Sequence, residues 1–455
     1  MAFKDFILNL PEVKGPTEKK LTFNAKLKWT LIILISYFVL AEIPLFGLAQ
    51  NALQRFEYLA IILGTKFGSI ISLGIGPIVT ASIILQLLVG SGLLSINLTT
   101  PEGKKYFQGL QKVLTIFLTF FEAAIYVMMK GLEAMPGFGG ILILQLFIGG
   151  ILIMYMDEVI SKWGFGSGIS LFIVAGVSLE LFTKAFGFIG TQGTFEPVGK
   201  VFVLFTSLMQ GNQVGALLAG VAIIATIIIF ALAVYGQAMK VEIPLSFGRV
   251  RGFGMRWPLS FFYTSNIPVI LTAALLANVQ LVGRLVESWI GHATWLGGFT
   301  NGQAVSGLAA WVSPPALVES LISGSFQGIF IWQSLFYVLF MIGGSIMFSI
   351  FWVKTSGMDS SAQAKQIMAS GLQIPGFRRD ERILESILER YIMPLTIMGG
   401  AAVGLLAANA DLLGALVRGT GLLLSVMIIY KLYQDISQQH AMDMNPAVRK
   451  LMTGE

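Results

Sequence analysis

The chain has 455 residues, 55% of them hydrophobic and only 12% charged, with a mean hydropathy of +0.79. A water-soluble domain carries roughly a quarter charged residues, so most of this chain's surface faces something other than water. It contains no cysteine and two well-separated histidines, His292 and His440. This excludes disulfides, Cys-ligated zinc, cysteine nucleophiles and His-rich metal clusters. No cofactor is expected, and the net charge of +6 reads as membrane orientation rather than nucleic-acid binding.

In chain order, residues 1–28 form a polar cytosolic segment. The apolar run that follows is too long for a signal-peptide core, so the first span itself directs insertion. A hydrocarbon core of ~30 Å takes about 20 apolar helical residues. The apolar runs predict ten spans, at 29–48, 69–94, 113–130, 138–156, 166–188, 214–239, 259–282, 327–353, 392–408 and 412–432. The last two are separated only by Asn409, Ala410 and Asp411. With the N-terminus inside, about three quarters of the 30 Lys and Arg residues fall on the cytosolic side, which places both termini in the cytosol. The expected fold is therefore an all-α membrane protein of ten transmembrane helices. Its halves, 29–190 and 214–432, are joined by an external linker at 191–213 and followed by a cytosolic tail at 433–455. Five spans per half make the halves inverted about an axis in the membrane plane.

Three stretches are not simple spans. In 50–68, Leu53, Phe56, Leu59, Ala60 and Leu63 recur at helical spacing. This is either an interfacial helix or a re-entrant one inside a cavity, the only place where non-spanning backbone is tolerated at depth. In 240–258, Val241, Ile243, Leu245 and Phe247 alternate before a Gly-rich turn, predicting a basic hairpin in the cytosol. Its charge serves topology or anionic lipid, or else docks a partner, which its Pro-stiffened form favours. In 354–391, a short helix over 360–370 is followed by Pro375-Gly376, by Arg378 and Arg379, and by a solvated helix. The arginines at the loop tip suit a polyanion such as ribosomal RNA. A further external loop spans 283–326.

Ionisable and polar groups are scarce inside the spans. Glu122, Asn278 and Thr80 come from three different spans. They are either helix–helix glue or one functional cluster, and spacing alone leaves both open. Nucleotide-cradle, metalloprotease and nucleophile-elbow motifs are missing.

Several strings resemble the SecY family of Sec translocon channel subunits, in its archaeal and eukaryotic branch. Leu73-Gly74-Ile75-Gly76-Pro77-Ile78-Val79-Thr80 is similar to the start of that family's second helix. Gly166 to Phe172 resembles the start of its fifth, Phe262 to Leu271 its seventh, and Gly419-Thr420-Gly421 its tenth. The resemblance implies a clam-shell of two halves around an hourglass pore, with a lateral gate where the second and third spans face the seventh and eighth. It implies a pore ring of Ile75, Val79, Ile169, Ile173, Ile270 and Leu424, of which 75/79 and 169/173 are i,i+4 pairs on one helix face. It assigns 50–68 as a re-entrant plug, makes Thr80, Glu122 and Asn278 the gate cluster, and gives Arg249, Arg251, Arg378 and Arg379 a docking role. The implied partners are the ribosome, signal sequences and nascent polypeptides, membrane lipid, and small single-span subunits of the SecE/gamma and beta or SecG types. The implied function is passive conduction of polypeptides, without catalysis, in a prokaryotic plasma membrane. An inverted-repeat transporter of small solutes shares the span count.

Overall fold

The computed structural model describes residues 10–17, 21–49, 68–90, 93–96, 100–128, 132–188, 198–247, 254–264, 267–300, 303–369, 372–373 and 380–444. The first half contributes α1 (Phe23–Glu42), α2 (Gly76–Gly90), α3 (Pro101–Met128), α4 (Gly139–Trp163) and α5 (Gly168–Phe186). A short external helix, α6 (Lys200–Met209), leads to α7 (Gln213–Ala238). Then come strands β1 (Lys240–Phe247) and β2 (Gly254–Ser260) and helix α8 (Ile267–Ile290). The external loop holds β3 (Gly298–Thr300), β4 (Gln303–Ser306), α9 (Gly307–Trp311) and α10 (Leu317–Ile322). The chain returns through α11 (Ile329–Ser356), α12 (Ser360–Ala369), β5 (Leu372–Gln373), α13 (Glu381–Leu412) and α14 (Gly419–Met444).

Eight of these helices are long and apolar enough to cross a membrane. The shorter α2, at 15 residues, and α14, which ends in a polar tail, complete the ten. Their large apolar side chains point outward as well as in: Ile35 on α1, Phe182 on α5 and Ile227 on α7 are all more than half exposed. Lipid, unlike water, imposes no cost on that arrangement, so close packing selects small residues instead. Between α11 and α13, Ser345 and Ser349 meet Gly400 and Gly404, and a Cβ at Gly404 would sit 2.7 Å from the Met341 carbonyl oxygen.

Several expected boundaries move. The first span starts earlier and ends at Glu42, because Pro44 pairs with Ser69 in an antiparallel bridge. The second is helical only from Gly76, after a turn in which Gly74 adopts φ 56°, a conformation that suits glycine. The seventh begins at Ile267 rather than at 259, since the apolar stretch before it is strand β2. The ninth and tenth are not divided at 409–411. Helix α13 runs on to Leu412 and the turn is 413–418. Asp411 reads as a turn residue by polarity, but its carboxylate is taken inward by Tyr337 and the Gly419 amide.

The described parts of the segments between α7 and α8 and between α11 and α13 form one unit. The predicted hairpin pairs Val241 with Leu259 and Ile243 with Trp257, and β5 of the second loop adds antiparallel to β1 through Phe247 and Leu372. Ile243 and Leu259 bury against Ala364 and Ile367 of α12 and Leu384 and Leu388 of α13. The start of α13 is thus half solvated and half core. Tyr263 donates to the Met358 carbonyl at 2.7 Å, and burial pushes its phenol pKa up, so it stays a neutral donor.

The halves meet on two sides. Helix α2 packs on α8 and α11, and α1 and α5 pack on α14. Replacing Gly404 by Leu is expected to force α13 off α11 and lower stability by about 1–3 kcal/mol, read as an earlier thermal transition of the detergent-purified protein.

Candidate pore and lateral seam

Two cavities approach each other along the middle of the molecule. The sheet-side one, about 420 Å³, mixes Gln86, Gln108, Gln111, Lys431 and Asp435 with apolar walls that include Phe107, Phe165 and Trp352. The outer one, about 50 Å³, is lined by Val177, Ala273, Ala274, Val417 and Gly421, with Glu180 and Arg418. Val79 and Ile270 line both. Ile169 faces the sheet-side cavity, whereas Ile75, Ile173 and Leu424 face the outer one. The six expected ring residues therefore lie where the cavities converge, and all six belong to one hydrophobic cluster. They come from α5, α8, α14, α2 and the turn just before α2, so both halves contribute.

Local packing aims these side chains. On α5, Ile169 and Ile173 are an i,i+4 pair on one face. Next to Ile173, Phe172 is fully buried and stacks on Tyr37 of α1 at 4.5 Å. Val177 continues the same stripe into the outer cavity. Its spacing of four from Ile173 was readable in the sequence, but the motif resemblance stopped short of it. Ala273 and Ala274, one turn beyond Ile270, carried no signal beyond small size.

The polar trio divides. Asn278 of α8 donates through Nδ2 to Thr80 Oγ1 of α2 at 3.1 Å, bridging the halves above the ring. Among the described residues Glu122 makes no hydrogen bond to either. Its electrostatic neighbour is Tyr126, one turn along α3, which also senses Arg284 of α8. Arg284 in turn lies over the Phe299 ring at 4.9 Å and so holds the external hairpin. At the far end of α2, a Cβ on Gly90 would stand 2.6 Å from the Phe351 ring of α11. Together these contacts close the α2 side of the molecule.

The plug positions Leu53, Phe56, Leu59, Ala60 and Leu63, and the loop arginines Arg249, Arg251, Arg378 and Arg379, lie outside the described residues. Among the described residues no group of three or more His, Asp or Glu side chains gathers to hold a metal.

Comparison with known proteins agrees with this architecture. A sequence profile of the SecY family matches residues 69–433. The protein translocase subunit SecY of Methanothermobacter thermautotrophicus is 46% identical over 99% of this chain and 98% of its own length. That of Methanocaldococcus jannaschii is 42% identical over 97% of each. Among solved structures, a protein-conducting channel superposes with a TM-score of 0.83 at 40% identity, covering 98% of this chain and 99% of its own. Sec61 in the canine ribosome–channel complex from the endoplasmic reticulum superposes with a TM-score of 0.80 at 39% identity, with the same coverage. With helix order, central cavities and near full-length identity in agreement, the chain belongs to the SecY family.

Proposed function

We propose that this chain is the pore-forming subunit of a protein-conducting channel, which passes unfolded polypeptides across the membrane and releases apolar helices sideways into lipid. The observation that carries the reading is the convergence of six aliphatic side chains, from both halves, between two cavities. A narrow aliphatic constriction resists wetting and so blocks ions. It forms no fixed hydrogen bonds, so it discriminates little between the side chains sliding through it. A transporter of small solutes needs the opposite at mid-depth, convergent polar ligands for its cargo. The near full-length translocase relatives support the same reading.

The α2/α8/α11 seam is the lateral gate in this reading. The Thr80–Asn278 bond is one of the contacts that an incoming signal helix replaces, shifting the closed–open balance by its differential affinity. Glu122 is the outlying member of the cluster. Segment 50–68 acts as the plug, and both termini are cytosolic by the basic-residue asymmetry. Arg249 and Arg251 on one loop and Arg378 and Arg379 on the next contact a polyanion in this reading. The ribosome is the proposed partner, since the 39% identical Sec61 structure is part of a ribosome–channel complex. Single-span subunits of the SecE/gamma and beta or SecG types complete the proposed assembly.

Three outcomes test this. Replacing Ile75, Val79, Ile169 and Ile173 together by Asn is expected to make the resting channel conduct ions in planar bilayers; an unchanged conductance overturns the ring assignment. Asn278→Leu is expected to let weaker signal sequences open the channel, because the lost cross-seam contact contributes about 0.6 kcal/mol to closure; the check is translocation of a hydrophobicity series of signals. Charge reversal at the four loop arginines is expected to weaken ribosome binding and to flatten its dependence on salt, measured by co-sedimentation.

A further inference from the structure

The turns leading into α5 and α14 are built alike, on opposite sides of the membrane. Gly168 opens α5 and Gly419 opens α14. Three residues before each glycine, a backbone amide donates to a threonine hydroxyl on the first helix of the same half. These bonds are Phe165 N to Thr30 Oγ1 at 3.0 Å and Leu416 N to Thr226 Oγ1 at 2.9 Å. Each threonine passes its own proton to the carbonyl four residues back, Lys26 in one case and Ala222 in the other. On the other side of each turn stands a carboxylate from the fourth helix of that half. Asp157 Oδ1 accepts from Ile169 N at 2.9 Å, and Asp411 Oδ1 accepts from Gly419 N at 2.7 Å. Neither glycine has room for a Cβ: one at Gly168 would strike Asp157, and one at Gly419 would strike Ala410 and the Ala407 carbonyl.

A similar bracket therefore occurs once per half: threonine, carboxylate and glycine from equivalent helices, the threonine-bound amide lying three residues before the glycine in both, and the carboxylate-bound amide one residue after it in α5 and at the glycine itself in α14. Five residues after each glycine comes a ring side chain, Ile173 on α5 and Leu424 on α14, about 7.5 Å along the helix from the bracket. A helix start pinned on two sides leaves the next turn and a half little freedom to tilt. We propose that Thr30 with Asp157, and Thr226 with Asp411, are positioning residues of the pore constriction. They are a duplicated clamp that fixes where Ile173 and Leu424 stand in the closed channel. The proposal rests on the assignment of those two side chains to the ring.

The test uses the full channel complex in planar bilayers, with potassium chloride as the permeating probe. Asp157→Ala and Asp411→Ala are expected to raise resting conductance roughly five- to tenfold, the factor set by losing one helix cap. Asp157→Asn and Asp411→Asn keep an acceptor oxygen and are expected to restore most of the seal. Asn212→Ala is the control: Asn212 caps α7 by accepting from Gly215 N at 3.1 Å, but α7 carries none of the six ring residues. It is expected to lower thermal stability without leak. Equal leak in the control, or sealed Ala variants, overturns the clamp. If an Ala variant does not assemble, Gly168→Ala decides, since it displaces the helix start while keeping the carboxylate; a sealed Gly168→Ala channel overturns the proposal. The ring variants run alongside separate the two ideas. Leak from them without leak from the clamp variants removes the clamp alone, whereas sealed ring variants remove the ring assignment beneath it.

Discussion

A backbone amide or carbonyl without a partner costs several kcal/mol in hydrocarbon. Everything else in this molecule follows from where the chain meets or escapes that demand. Ten helices meet it internally. The turn before α2 and the turns before α5 and α14 leave the helical state beside the central passage. There the freed amides are taken by side chains, Thr30 and Thr226 on one side and Asp157 and Asp411 on the other. Irregular backbone is tolerated because it is enclosed by protein, and it is useful because it delivers side chains to the axis.

The passage combines two chemistries that a soluble protein seldom places together. Its sheet-side mouth carries Gln108, Gln111, Lys431 and Asp435 among apolar walls, and its waist is aliphatic. A narrow aliphatic constriction resists wetting and so needs no hydrogen-bonded gate. The seam beside it is held by small contributions: one Thr–Asn hydrogen bond, a Gly–Phe close approach and the packing of α2. A gate of modest contacts can be shifted by a helix whose own burial in lipid is favourable.

The three-stranded sheet has its own core. The hairpin and the segment between α12 and α13 share that sheet, which packs on α12 and the start of α13. Two separate stretches of the chain are thus joined in one packed body beside α8, α11 and α13.

Span number, span order and the basic asymmetry were legible in the sequence because apolar run length and charge are local properties. The aliphatic ring was legible only through motif resemblance, since isoleucines at i,i+4 on a membrane helix are ordinary until other helices converge on them. Within the polar trio Thr80 and Asn278 share a hydrogen bond, and among the described residues Glu122 bonds to neither, because spacing along one helix does not say which residues of other helices it meets. The reading of Asp411 as a turn residue has the same root. Polarity marks a turn or a buried bond equally well, and the choice depended on Tyr337, 74 positions away. By itself, then, the sequence determined that this chain lives in a membrane as ten helices, because burial in lipid is decided residue by residue. The tertiary structure alone decided which aliphatic groups converge between the two cavities and which polar groups bond the turns beside them, because those placements depend on the contacts between helices and not on the helices themselves.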